Sequence, residues 1–208
     1  NVRNLSNPEC RKFLVEEAGD SPIRKKLLEV LTEKDRTDCI SQVLEEHLKF
    51  ALPYGKNMDA DIFVPYVLNP RVDDEVLQKY RKAILEQLSE EEKNMLQKEP
   101  AKIWKWIEDK IISSPEKERS SVITTPSGCL KTGTGSLLSK KIFFVAMART
   151  LGIPARLNPH DRSMEYMKNG KFIPVSAETE KNASILLKAS EDIQWKYFQN
   201  WSIAKLEA

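Results

Sequence analysis

The length, composition and charge of the chain are those of one globular domain, or of one domain with a small part of a second. The chain has 208 residues, 40% hydrophobic and 31% charged, and its 33 basic and 31 acidic residues are interspersed. A net charge of +2 without a basic stripe argues against a nucleic-acid partner. No apolar run approaches the ~20 residues that a membrane-spanning helix needs.

The three cysteines, Cys10, Cys39 and Cys129, are too few and too widely spaced to indicate a disulfide framework or a zinc site. We expect Cys10 and Cys39 to be buried thiols on helices, and we expect no metal ion and no cofactor. The chain begins at Asn1 without a methionine or a signal-like segment, so we expect the natural protein to start further upstream.

The segment 1–115 predicts a helical N-terminal lobe. Ser21-Pro22 is a favourable N-cap and first-turn pair for a helix that runs to about Glu33. We expect Asp35 to cap the next helix, which reaches about Ala51 and carries apolar residues at helical spacing.

The connection after this helix, residues 52–71, is rich in proline and aromatic residues and predicts irregular structure. Asp73 or Asp74 then caps a predicted helix that places Tyr80 and Ile84 on one apolar face. The lobe therefore continues as helices separated by capping signals.

Two further helices complete the predicted lobe. Ser89 and Glu92 have the spacing of a capping box, and Pro100 begins a helix that carries Trp104 and Trp106. Because these tryptophans lie two residues apart, they cannot share one helix face. We therefore expect one tryptophan in the core and the other partly exposed.

The character of the sequence changes after Pro115. Residues 121–125 are β-like, and residues 126–135, PSGCLKTGTG, predict a loop. Residues 136–151 form the most apolar helix of the chain and predict a buried central helix. Gly152 ends it as a left-handed cap, and a proline two residues later blocks its continuation.

The segments after the central helix predict an antiparallel sheet. Strand-like runs are ARLNP (155–159), SMEYM (163–167), KFIPV (171–175), ASILLKA (183–189) and WKYFQNWSIAKLE (195–207). Asn169-Gly170 is a strong hairpin signal. The order of elements predicts an α+β domain, with a core at 116–190 and the start of a C-terminal β segment at 191–208.

The run FVAMARTLGIPAR and the hairpin ending in GKFIPV resemble the transglutaminase-like superfamily of papain-like cysteine enzymes. The family pattern places Gly-x-Cys at the start of the central helix. It then places His-x-Trp-x-Glu on one strand and an aspartate at the end of the next. The resemblance implies a Cys-His-Asp triad for acyl transfer, in which the helix N-terminus stabilises the thiolate.

The three triad positions hold other residues in this chain. The family cysteine lies nineteen residues before the arginine of Ile-Pro-Ala-Arg, and counting back from Arg156 gives Leu137. The histidine position is Asp161, with Glu165 matching the family glutamate, and the final acid aligns with Ser176. Since all three positions differ, the resemblance implies a catalytically degenerate domain.

An alternative set could preserve catalysis. Cys129, with His160 and Asp161, could form a thiol hydrolase or acyltransferase that acts on peptide amides. We favour an ordinary loop thiol away from the helix N-terminus. We also expect Ser136 to be a helix N-cap rather than a nucleophile. A Cys129 sulfur within hydrogen-bond reach of His160 would favour the enzyme.

The resemblance also suggests a former substrate cleft that binds a peptide or a glycan. Glu165 and Tyr166 alternate on one predicted strand, so one of them faces that cleft, and Trp104 is a weaker ligand contact. His47 lies on an apolar helix face and is expected to be a packing residue. A third interpretation is a structural spacer with no open groove.

The run PYVLNPRVDDEVLQKYR resembles the segment that precedes this domain in large exported gut-bacterial proteins, in which a β-sandwich follows. The resemblance therefore implies an exported location, periplasmic, cell-surface or extracellular. It also implies a missing C-terminal β domain of the same chain, so we expect the natural C-terminus further downstream.

Overall fold

A computed structural model of the chain describes residues 6–15, 22–113 and 123–175. The described residues belong to one compact unit, 1–177, while the second unit, 178–208, lies outside them. Outside them also lie Ser176, the predicted strands after residue 175 and part of the β-like run at 121–125. Within the described part of the chain, no helix is both long and apolar enough to cross a bilayer.

The first part of this unit is helical. Its helices are α1 Pro8–Val15, α2 Pro22–Val30, α3 Glu33–Asp38, α4 Ser41–Gly55 and α5 Ala60–Phe63, and a π-helical turn, Val64–Leu68, continues α5. The segment 52–71 is thus mostly helical, which corrects the prediction of an irregular connection. The buried residues Phe63, Val64, Val67 and Leu68 fix this segment against its neighbours.

The second part combines helices with short strands. The helices are α6 Arg81–Glu86, α7 Glu90–Lys98, α8 Lys102–Lys110, α9 Pro126–Thr132 and the central helix α10 Leu137–Thr150. The strands are β1 Ile112–Ser113, β2 Thr134–Gly135, β3 Ala155–Leu157, β4 Met164–Lys168 and β5 Lys171–Val175. Strand β1 pairs in parallel with β2, and β3, β4 and β5 form an antiparallel sheet in that order.

The central helix and the hairpin agree with the sequence-based prediction. Every residue from Ile142 to Thr150 is buried, and Gly152 adopts a φ of 78° after the helix end. Asn169 and Gly170 have φ values of 53° and 74°, as a type I′ hairpin requires. Residues of α10 and of the antiparallel sheet share one hydrophobic core, so the α+β fold class is confirmed.

Two predicted helix starts were wrong. Asp35 lies inside α3, where its buried carboxylate binds the guanidinium of Arg71, and Thr32 caps that helix instead. Asp73 precedes an extended stretch, and the helix begins only at Arg81. Long-range ion pairing therefore overrides the local capping preference of Asp35.

The PSGCLKTGTG segment is a helix followed by a strand rather than a loop. Thr125 caps α9 by accepting a hydrogen bond from the N–H of Gly128 (3.2 Å), and Pro126 occupies the first turn. Gly133 ends the helix with a φ of 62°. The glycine and proline signals thus mark the two ends of a short helix.

Both tryptophans of α8 are buried, which corrects the expectation that one would be exposed. Trp104 is 6% exposed and lies under the Lys140 ammonium, which is 5.4 Å from its ring centroid. Trp106 is 9% exposed, meets Phe143 edge-on at 6.3 Å and donates to Glu92 Oε1 (3.2 Å). Different neighbours cover the two faces of α8.

The predicted capping box of Ser89 and Glu92 is present at the start of α7.

The buried apolar residues form two clusters. The N-terminal cluster comprises Cys10, Phe13, Leu27, Leu28, Leu31, Cys39, Leu44, Leu48, Ala51, Phe63, Val64, Val67 and Leu68. The C-terminal cluster is built from residues between Tyr80 and Val175, with the central helix among them. The two clusters divide the described unit near the loop at residues 69–79.

The buried Arg81 binds backbone carbonyls at the junction between the two clusters. Arg81 donates to Leu68 O (3.2 Å), to Val67 O and to Arg149 O (2.8 Å). Arg81 Nε also donates to Nδ1 of His47, whose other ring nitrogen lies 3.0 Å from Gln78 O. Burial, followed by the charge of Arg81, lowers the pKa of His47 well below its ordinary value, so His47 packs as a neutral ring.

Candidate functional site

The start of the central helix keeps the local geometry of a capped helix. Ser136 has an extended backbone, with φ of −69° and ψ of 167°, and its Oγ accepts the N–H of Ser139 (3.1 Å). The predicted N-cap is therefore confirmed. Leu137 is the first residue of the helix and is 41% exposed. The residue that the resemblance assigns to the family nucleophile position is thus a half-exposed aliphatic side chain at a helix N-terminus.

Cys129 lies directly beneath this helix start. An ideal Cβ on Gly135 would lie 3.0 Å from Cys129 Sγ and 3.5 Å from Ser139 Cβ. The sulfur is fully buried and lies 3.9 Å from the carbonyl oxygen of Thr124. The sequence placed this thiol away from the helix N-terminus, whereas α9 folds back and brings its sulfur to the inner side of that terminus.

A small polar cluster surrounds the helix start on its inner side. Ser139 is buried, and its Oγ lies 3.0 Å from Ser136 Oγ and accepts the N–H of Thr124 (3.0 Å). Lys140 is buried as well and donates to Ser113 Oγ (3.2 Å) above the Trp104 ring. Through these hydrogen bonds, Ser139 and Lys140 bind the start of the central helix to the segments at Thr124 and Ser113.

The turn between β3 and β4 carries Asp161, which the resemblance assigns to the family histidine position, and its neighbour His160. His160 is exposed, and its backbone N–H donates to Asn158 Oδ1 (2.9 Å). Asp161 is also exposed and accepts the N–H of Ser163 (2.9 Å), which lowers the pKa of Asp161, with the charge of Lys141 on the central helix adding to the effect. Asp161 is therefore an anionic turn residue near the central helix.

Glu165 joins β4 to β3 through a partly buried ion pair. Its carboxylate accepts from Arg156 Nε (2.7 Å), directly opposite on β3, and from Asn158 Nδ2 (3.0 Å). The Arg156 guanidinium stacks 4.0 Å from the centroid of Phe172. Both carboxylate oxygens are thus engaged, and Tyr166, on the opposite sheet face, packs against the C-terminal cluster.

The structure does not join the alternative catalytic set by hydrogen bonds. Among the described residues, no hydrogen bond links Cys129 to His160. The sulfur is buried in the core, and the imidazole lies in an exposed turn. The Ser-x-x-Ser spacing of Ser136 and Ser139 could have indicated the polar cluster. No sequence signal indicated the buried position of Lys140, because lysine is ordinarily an exposed residue and the adjacent Lys141 gave no reason to separate the two.

Comparison with protein families identifies the class of this domain. Residues 82–172 match the family model of the transglutaminase-like superfamily. The match begins in α6 and ends in β5, so it contains the central helix and the hairpin. The chain therefore contains a transglutaminase-like domain, as the sequence resemblance implied. Searches of curated proteins and of solved structures found no match.

Proposed function

We propose that this chain is a catalytically degenerate transglutaminase-like domain that serves as a binding or structural module in a larger exported bacterial protein. The exposed Leu137 at the capped start of the central helix carries the proposal. The local geometry that would activate a thiolate is retained, while the side chain has no nucleophilic atom. Asp161 at the histidine position adds a carboxylate in place of a base that could accept the thiol proton. The exported location rests on the resemblance of residues 65–81 alone.

The surface at Leu137 is suited to a ligand with an apolar group, so a peptide is favoured over a glycan. A half-exposed leucine offers an apolar contact, and the first N–H groups of a helix lack intrahelical partners and can donate to a carbonyl. A ligand that also contacted the exposed carboxylate of Asp161 would be basic or hydroxyl-bearing. No group in this arrangement has to change its protonation state on binding.

The alternative function is a thiol hydrolase or acyltransferase that uses Cys129 with His160. The proximity of Cys129 Sγ to the start of the central helix favours it, because helix N-termini stabilise thiolates. The buried sulfur and the exposed imidazole oppose it, because a nucleophile and its base must lie within hydrogen-bond reach.

The rate of cysteine alkylation against pH, read by mass spectrometry in the folded protein, separates the two functions. For a degenerate domain we expect Cys129 to react slowly at every pH up to ~8.5, as a buried thiol does. Rapid alkylation of Cys129 well below pH 8, lost in His160→Ala, would establish an activated thiolate and contradict the proposal. In a sample reduced beforehand, the buried thiols of Cys10 and Cys39 provide internal references.

A peptide and glycan array tests the binding role. Leu137→Asp should lower binding of any captured ligand by about tenfold or more, since a buried apolar contact is replaced by a charge. Val76→Asp is the matched control, because Val76 is also an exposed apolar residue, at 62%, but lies in the loop before α6. Equal binding by the two variants would contradict a site at Leu137 and favour the structural spacer.

A further inference from the structure

The sulfur atoms of Cys10 and Cys39 are in close contact although the residues are 29 positions apart. Cys10 lies on α1, Cys39 follows α3, and their Sγ atoms are 2.8 Å apart. That distance lies between a disulfide bond, about 2.05 Å, and an ordinary non-bonded contact between heavy atoms, about 3.5–4 Å. The sequence spacing had suggested two unrelated buried thiols.

Hydrogen bonds on both sides of the pair hold the two segments in register. Asn7 Nδ2 donates to the carbonyl oxygen of Cys39 (2.9 Å). Glu9 Oε2 accepts the N–H and the hydroxyl of Ser41, at 3.0 and 2.8 Å. The residues that flank each cysteine are thus bound to the residues that flank the other. These flanking hydrogen bonds fix the backbone positions of the two cysteines, and the backbone positions bring the two sulfur atoms into contact.

Burial keeps the two sulfurs as thiols in the folded chain unless they are bonded to each other. Cys10 is fully buried and Cys39 is 5% exposed. Burial raises the pKa of both thiols, because a thiolate is costly in an apolar surrounding. A protonated, buried thiol reacts slowly with an oxidant. Oxidation of this pair therefore belongs to folding, before α1 packs on the N-terminal cluster.

We propose that Cys10 and Cys39 form a disulfide when the chain folds in the presence of a disulfide oxidant such as glutathione disulfide. One cysteine thiolate attacks the oxidant, forms a mixed disulfide and releases one glutathione thiolate. The second cysteine thiolate then attacks the protein sulfur of that mixed disulfide and releases the second glutathione thiolate. Two electrons pass to the oxidant, and both cysteine protons pass to solvent. This site stands independently of the proposed function, although it fits the proposed exported location.

The test is to unfold and refold the full chain in glutathione redox buffer, quench exchange with acid, alkylate every remaining thiol in denaturant and digest without reduction. Trypsin leaves the cysteines on separate peptides, 4–11, 37–49 and 120–131, so mass spectrometry reads each one. We expect peptides 4–11 and 37–49 as one cross-linked species and peptide 120–131 as the alkylated thiol. The closed loop should raise the unfolding temperature by about 10 °C relative to the reduced protein.

Two variants control this experiment. Cys129→Ala should keep both the cross-linked species and the thermal shift, whereas Cys10→Ala with Cys39→Ala should lose both. If the double variant does not fold, the peptide map of the unaltered chain still shows whether Cys10 and Cys39 are cross-linked. Recovery of Cys10 and Cys39 as separate alkylated peptides, or of either one cross-linked to Cys129, would overturn the proposal.

Discussion

The N-terminal cluster is assembled from helices alone, whereas the C-terminal cluster is assembled around a buried helix that shares its core with an antiparallel sheet. Helices α1, α2 and α3 have eight, nine and six residues and α4 has fifteen, with exposed residues between its buried ones, while the central helix has fourteen and is buried from Ile142 to Thr150. Short isolated helices are marginal in water, so they need tertiary partners. The domain matched by the family model covers the C-terminal cluster, and that cluster contains the candidate site.

Polar contacts play a different part in the two clusters. In the N-terminal cluster, ion pairs join separate segments, as Arg24 of α2 does with Glu45 of α4 and Arg71 of the following loop does with Asp35 of α3. In the C-terminal cluster, the equivalent buried cation, Arg149, binds backbone carbonyls instead. Two of these carbonyls, those of Asn69 and Arg71, lie in the loop between the clusters, so this arginine attaches the N-terminal cluster to the central helix.

Among the variants considered, Arg149→Met should lower the free energy of unfolding most. Arg149 donates to the carbonyl oxygens of Ala155 (2.9 Å), Asn69 (2.8 Å) and Arg71 (2.7 Å), and burial lowers its pKa to about 10, so it is charged at neutral pH. Leaving these carbonyls without a donor should cost about 4 kcal/mol in the free energy of unfolding, measured with urea. Arg162→Met, at an exposed arginine, should cost less than about 0.5 kcal/mol. Equal effects would contradict the attachment role.

Phe13→Ala tests whether the N-terminal cluster unfolds alone. Phe13 is fully buried beneath the Arg24 guanidinium, 4.6 Å from its ring centroid, so truncation should cost about 3–4 kcal/mol. Phe50→Ala, at a partly exposed ring, should cost far less. Hydrogen exchange gives the decisive reading: loss of protection in both clusters indicates one cooperative unit. Loss confined to residues 8–68 would show that the attachment is weak.

Gly152→Ala tests the closest contact between the two parts. Gly152 has a φ of 78°, and an added Cβ would lie 2.2 Å from Cδ1 of Tyr54. Backbone strain and this overlap together should cost about 2–3 kcal/mol. The double variant with Tyr54→Ala should be destabilised by less than the sum of the single effects, because the overlap is gone. Strict additivity would show that the ring of Tyr54 simply moves aside.

The smallest expected effect lies at the capping box of α7. Glu92 accepts the N–H of Ser89 (2.9 Å), which is the main cause of its lowered pKa, and it also accepts the Trp106 indole N–H. Glu92→Ala should cost about 1 kcal/mol at pH 7, and Glu91→Ala, in the same turn, markedly less. Because the folded pKa is lowered, this stabilisation is present above pH ~4.5 and is lost as the pH falls further. A cost that persists at pH 3 would contradict the ionic contribution.

The sequence predicted best where signals were local and mutually consistent. The central helix, its glycine end, the hairpin at Asn169 and Gly170 and the capping box of Ser89 and Glu92 all followed from spacing and turn chemistry. It failed where a residue that suits a local cap instead binds a partner that is distant in sequence. Asp35 is a good cap by composition, but Arg71, 36 residues further along the chain, binds its carboxylate. No local pattern reports such a partner.

The candidate site shows the same division between local and distant information. The sequence predicted that Ser136 caps the central helix, which the structure confirms, and the resemblance assigns Leu137 and Asp161 to the family's nucleophile and histidine positions by counting along one continuous segment. Only the tertiary structure decided that Cys129 lies beneath that helix start, that Glu165 is occupied by Arg156 and that Cys10 meets Cys39. These contacts join residues from separate elements, and their geometry depends on how helices and strands pack, which composition and periodicity do not encode.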